Sequence, residues 1–194
     1  MIAILKYNAG NTRSVENAVK QLGYEVQVTD CKATLKMAEK VIIPGVGEAS
    51  SAMKYLRKNG LDSFIKSLSQ PVLGICLGMQ LLCEHTQEGN TPALGIFPLM
   101  VKRFPNGIIV PHMGWNSFTE HSLKGPLFQN ISCHDDCYFV HGYYAEPGPE
   151  TTAVTDYAVP FSAALQKGNF YGTQFHPEKS AATGIQILKN FLQL

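Results

Sequence analysis

A chain of 194 residues, 45% apolar, 16% charged and carrying a net charge of +1, is long enough to bury one substantial core. So even a balance, with no basic tract, excludes the electrostatic footprint of a nucleic-acid binder, and no apolar run reaches bilayer-spanning length. Five irregularly spaced cysteines do not read as a disulfide framework, and the N-terminus lacks a leader-peptide pattern, so a reducing, cytoplasmic setting is expected.

Along the first half, short apolar runs alternate with helical patterns. IAILKY (2–7) reads as a buried strand. TRSVENAVKQLG (12–23) follows as a helix with Val15, Ala18, Val19 and Leu22 on one face and Gly23 as its stop. YEVQVTD (24–30) and KVIIPG (40–45) read as strands, EASSAMKYLRKNG (48–60) as a helix, and PVLGICLG (71–78) as a strand running into the helical LGMQLLCEH (77–85). Lys54, Arg57 and Lys58 form one solvated face of the second helix. This alternation predicts an α/β fold: a three-layer, flavodoxin-like sandwich with a largely parallel central sheet and helices on both faces.

The second half is richer in strands. YFVHGYY (138–144), TAVTDY (152–157) and FSAALQKGNFYGTQF (161–175) read as additional strands, with a hairpin turn at QKGNF (166–170). An amphipathic helix from about Thr183 to Leu192 closes the chain. TQEGNTPALGIFP (86–98) and EPGPE (146–150) read as surface connections, and residues 1–194 as a single domain.

GICLG (74–78) places Cys76 where a strand turns sharply into a helix, between glycines that permit strained backbone and close approach. A helix N-terminus there favours a thiolate. Taken alone, the pattern fits a buried core cysteine and a nucleophile equally well. Cys31, Cys83, Cys133 and Cys137 lack the flanking glycines and read as structural residues. Cys133 and Cys137, in CHDDC, have no second ligand pair at metal-site spacing.

A hundred residues on, FHPE offers the missing partners. His176 can take the thiol proton and Glu178, two residues later on the same strand-end loop, can hold the imidazole tautomer. PGVG (44–47) is a glycine-rich strand end whose Val46 and Gly47 N–H groups can face an oxyanion, with the Leu77 N–H as second donor. His85, His112 and His121 read as surface or packing residues, and His141 as an ordered residue beside the pocket.

PGVG, GICLGMQ and FHPE, in this order, resemble the triad-type (class I) glutamine amidotransferases. YNAGNTRSV, PHMGWN (111–116), YFVHGYY and FHPEKS narrow the resemblance to the glutaminase subunits of imidazole glycerol phosphate synthases, over nearly the whole chain. The resemblance implies hydrolysis of L-glutamine through a Cys76 thioester, with the triad Cys76, His176 and Glu178 and no cofactor or metal. It implies glutamine contacts from Gln80, Glu88, Gly142 and Tyr143, and a heterodimeric (β/α)8-barrel cyclase partner that receives the ammonia. Interface positions carried over by motif are Asn11, Trp115, Asn116, Tyr138 and Lys179. The family has glycine where this chain has Asn8, and serine where it has Gly142. Competing readings are a stand-alone cysteine hydrolase of γ-glutamyl or peptide bonds, the glutaminase subunit of another amidotransferase, and an inactive regulatory module.

Overall fold

A computed structural model describes residues 1–194. Its central sheet has seven strands: β1 (Ile2–Leu5), β2 (Val26–Thr29), β3 (Lys40–Ile43), β4 (Val72–Ile75), β11 (Thr151–Tyr157), β12 (Val159–Lys167) and β13 (Phe170–Thr173). They lie in the order β11-β12-β13-β4-β3-β1-β2. β13, β4, β3, β1 and β2 run parallel, and β12 and β11 extend that edge antiparallel.

Period-two alternation sends the two faces of each strand into two separate cores. Ile2, Ile4, Ile42, Leu73 and Ile75 pack with α1 (Thr12–Gln21) and α6 (Ala181–Leu192), whose contributions include Val15, Val19, Ile187 and Phe191. Ala3, Leu5, Val41, Ile43 and Val72 face the other way, against α2 (Lys32–Met37), α3 (Ala49–Lys58), α4 (Leu61–Lys66) and α5 (Leu77–Leu82). Burial on both faces is why β1, β3 and β4 read as continuous apolar runs. The predicted three-layer sandwich is therefore present.

Two smaller sheets cover the strand ends: β10-β7-β5-β6, from β5 (Cys83–Thr86), β6 (Thr91–Pro92), β7 (Phe97–Arg103) and β10 (Tyr143–Ala145), and the antiparallel pair β8 (His112–Asn116) and β9 (Cys137–His141). They correct several expectations. The helix read through Cys83–His85 stops at Leu82, because Cys83 pairs with Phe97 across a parallel ladder. The segment read as the loop 86–98 contains a 3-10 turn at Glu88–Asn90, strand β6 and the start of β7. Helices α2 and α4 were not anticipated. Each is short, and α2 buries only Leu35. Cys31, read as a structural cysteine, is exposed at the start of α2, and all five thiols are free. No helix is long and apolar enough to cross a membrane.

Candidate active site

β4 and β13 are hydrogen-bonded neighbours in parallel register, Ile75 opposite Thr173. The chain leaves β4 directly into Cys76, whose amide donates to the Thr173 carbonyl at 2.7 Å. Cys76 adopts φ 52° and ψ −109°, a left-handed turn rare for a residue with a side chain, before α5 begins at Leu77. Such strain persists only where the surroundings over-determine it. Here the glycines make that possible. A Cβ on Gly78 would collide with the Ile43 carbonyl, and one on Gly74 would lie 2.7 Å from the Gly78 and Met79 backbone. The elbow is thus pressed against β3 and α5 in a way only glycine permits.

His176 lies three residues beyond the end of β13, beside Cys76. Its Nδ1–H donates to Glu178 Oε1 at 2.8 Å, and both side chains are fully buried. Nε2 has no hydrogen-bond partner. Burial opposes charging the ring, but the neighbouring Cys76 and Glu178 outweigh it and raise His176 to about 10. The arrangement therefore favours the imidazolium form of His176. The His176 backbone is pinned on both sides: its N–H donates to the Tyr138 carbonyl and its carbonyl accepts from Ser180 Oγ.

A pocket of about 230 Å³ opens over the thiol, lined by Val46, Gly47, Cys76, Leu77, Gln80, Glu88, Pro111, Val140, His141, Gly142 and Tyr143. Every oxyanion and glutamine-contact residue read from the sequence lines it. Gly10 N–H holds the Val46 carbonyl at 3.0 Å, while the Val46 and Gly47 N–H groups donate to no protein acceptor. Gly47 has φ 142°. Glu88 is half-buried, its carboxyl pushed upward by desolvation first, although the Ala49 N–H at 2.7 Å works the other way. The Gly142 N–H donates to no protein acceptor, and a Cβ there would meet only Val110 Cγ1, at 3.4 Å. Asn8 has no left-handed φ; its carboxamide donates to Ser51 Oγ at 2.7 Å.

The residues carried over as interface positions divide. Trp115 (54% exposed) and Lys179 are open to solvent, and Trp115 packs edge-on against Tyr138 at 5.9 Å. Trp115 is on strand β8 rather than in the loop that its glycine and asparagine neighbours suggest. Asn11, from a left-handed position at the start of α1, donates its carboxamide N–H to Glu178 Oε1. Sequence reading also missed Tyr7, which sits beneath PGVG with its hydroxyl on the Pro44 carbonyl, and Gln174, whose Nε2 reaches Cys76 Sγ at 3.6 Å. Gln174 was legible only as the residue before FHPE.

Residues 3–194 match the family described as Glutamine amidotransferase class-I. The chain is 56% identical to "Imidazole glycerol phosphate synthase subunit HisH" of Bacteroides fragilis, over 100% of this chain and 99% of that protein. The subunits of the same name from Moorella thermoacetica and Pasteurella multocida are 46% and 44% identical, covering 100% and 99% of this chain and 94% and 97% of theirs. Among solved structures, a "glutamine amidotransferase" superposes with TM-score 0.76 at 21% identity, covering 99% of this chain and 97% of the other. "PurLQS from Thermotoga maritima" gives TM-score 0.73 at 17% identity, covering 99% and 97%. At those identities the likeness is one of fold.

Proposed function

The chain belongs to the class-I glutamine amidotransferases, and we propose that it is the glutaminase subunit of an imidazole glycerol phosphate synthase. The observation that carries the chemistry is Cys76 strained at the end of β4, beside a buried His176–Glu178 pair on the neighbouring strand end. Full-length identity to subunits of that name supports the narrower assignment.

In the proposed reaction the Cys76 thiolate attacks the side-chain amide carbon of L-glutamine. The carbonyl oxygen becomes an oxyanion facing the Leu77 N–H and the unpaired N–H groups of Val46 and Gly47. His176 gives its Nε2 proton to the leaving nitrogen, the C–N bond breaks, and ammonia departs from a γ-glutamyl thioester. His176, now neutral, takes a proton from water, which attacks the thioester and frees glutamate. The returning proton restores the starting pair. Glu178 holds Nδ1–H throughout, so Nε2 stays directed at the chemistry. Glu88 and Gln80 would hold the amino-acid end of glutamine, and the Gly142–Tyr143 backbone its carboxylate.

Ammonia protonated in water is no nucleophile, so a sheltered route to an acceptor is needed. A (β/α)8-barrel cyclase subunit, docked over the pocket as a heterodimer, would supply it and yield imidazole glycerol phosphate and an aminoimidazole carboxamide ribotide. The pocket rim supports docking: Ile109 (81% exposed), Met113 (62%), Trp115 (54%) and Val110 (39%) present apolar side chains beside it. A cytoplasmic location agrees with five free thiols.

Co-purification with the barrel protein, followed by cyclisation assays with glutamine and with ammonium, tests the assignment. Cys76→Ala is expected to abolish the glutamine-dependent reaction and leave the ammonia-dependent one. Loss of both, or no complex on sizing, overturns it, the latter in favour of a stand-alone cysteine hydrolase.

A further inference from the structure

Behind the pocket, a row of buried polar groups leads away from the nucleophile. Gln174 is fully buried; its Nε2 donates to Cys76 Sγ at 3.6 Å and its Oε1 accepts from Gln80 Nε2 at 2.9 Å. The second Gln80 N–H goes to the Tyr143 carbonyl, also at 2.9 Å. That carbonyl accepts once more, from His141 Nδ1 at 2.8 Å. His141 Nε2 meets His112 Nδ1 at 3.1 Å, and His112 Nε2 meets Asn116 Nδ2 at 3.4 Å.

A carbonyl can only accept, and this decides every proton in the row. His141 must carry its proton on Nδ1, so its Nε2 is an acceptor. His112 must then donate from Nδ1 and accept at Nε2. Asn116 supplies that last donor, its other N–H being taken by the Asp156 carbonyl at 3.1 Å. Both imidazoles are neutral in this scheme, in keeping with burial pushing His112 down to about 4 and His141 to about 3. No other arrangement satisfies all six groups. In particular, Gln174 cannot rotate its oxygen toward the sulfur without setting its own NH₂ against that of Gln80.

We propose that Gln174 is a positioning residue that directs an N–H at the Cys76 sulfur, and that the row through Gln80, Tyr143, His141 and His112 to Asn116 locks its orientation. The proposal rests on Cys76 being the nucleophile. The thiol can donate to the Val140 carbonyl at 3.8 Å; once its proton is gone, the Gln174 N–H is the donor that stabilises the sulfur anion and fixes the rotamer from which it attacks. The row ends on β8, the strand that also carries Trp115 at the exposed rim, so the sulfur's donor is tied to a surface element.

The test is the rate of Cys76 alkylation by iodoacetamide across pH, read by peptide mass on the purified full chain. This small probe needs no glutamine site, so it separates sulfur reactivity from substrate binding. Gln174→Met, of similar length but without donors, is expected to slow Cys76 alkylation at pH 7 about tenfold, the effect of losing one hydrogen bond to an anion, and to move its pH midpoint upward. Gln174→Glu, which keeps an acceptor for Gln80, is expected to do the same, and stands in if the methionine variant fails to fold. His112→Phe retains the stacking on Phe139 and Tyr157 and is expected to slow alkylation in the same direction by a smaller factor. Wild-type profiles in the folded Gln174 variants overturn the positioning role, and a wild-type profile in His112→Phe overturns the row. Should wild-type Cys76 react no faster than Cys133, the nucleophile assignment itself fails, a result distinct from either.

Discussion

Replacing Glu178 by glutamine isolates one physical quantity, the buried negative charge behind His176. Glu178 Oε1 accepts from two donors, His176 Nδ1–H and the Asn11 carboxamide. An amide at position 178 therefore keeps its oxygen where both donors converge and turns its NH₂ toward Oε2, which has no partner. The imidazole tautomer survives and only the charge is lost. A hydrogen bond to an ionised group is worth about 1.5–3 kcal/mol, against about 1 kcal/mol for a neutral one. If that difference of about 0.5–2 kcal/mol acts on the imidazolium formed as the thiol loses its proton, glutamine turnover falls roughly two- to thirtyfold with little change in KM. Glu178→Ala removes orientation as well as charge and should fall further. Steady-state glutamate release by the chain with the proposed cyclase subunit measures both. A Glu178→Gln variant that turns over as fast as wild type would refute the reasoning, because a charge that can be removed at no cost is not what raises His176.

Acidification should destabilise the fold through the histidine pair. His112 and His141 have folded values of about 4 and about 3, below the usual 6.5, so as pH falls through 6.5 the unfolded chain binds protons that the folded one refuses. The loss from pH 6 to 5 is about 2 kcal/mol, read from urea midpoints, and His112→Phe should remove about half of it; a flat wild-type profile would count against burial of neutral rings. Raised His176 acts oppositely, its contribution fully present below 6.5 and fading only as pH climbs through about 10. Gly78→Ala drives a Cβ into the Ile43 carbonyl and should cost about 3 kcal/mol, lowering Tm by roughly 6–12 °C in a thermal melt. Gly142→Ser has room beside Val110 and should keep kcat/KM within about threefold. Trp115→Ala should leave stability within about 0.5 kcal/mol yet weaken the complex at least about tenfold by calorimetric titration.

The parts of the fold legible in the sequence were those whose signal is local. Strand β4 and the elbow were readable because a fully buried strand is an unbroken apolar run and its sharp turn demands glycine on both sides of Cys76. α1 and α6 announced themselves by spacing. β5, β7 and β8 did not, because their partners lie elsewhere in the chain. Cys83 looks like a continuation of the helix LGMQLL until Phe97 arrives to pair with it, and Gly114 with Asn116 disguises a strand that exists by pairing with β9. The site shows the same division. Cys76, His176 and Glu178 sit at turns with their own sequence marks. The contacts of Asn11 with Glu178 and of Gln174 with Cys76 carry no such mark, because their partners lie 167 and 98 residues away.

The amide of Cys76 is bonded to the carbonyl of Thr173 in the middle of a seven-stranded sheet, and this sets how the enzyme can fail. The proposed nucleophile and base leave two adjacent strands, whose repeat is roughly 4.8 Å, and His176, three residues past β13, is held in addition by the Tyr138 carbonyl of β9. Hydrogen exchange at Cys76 should therefore require the whole sheet to open. Heat ought to release the Cys76 amide and the tertiary structure in one transition, whereas the His176 side of the pair also depends on β9 staying docked.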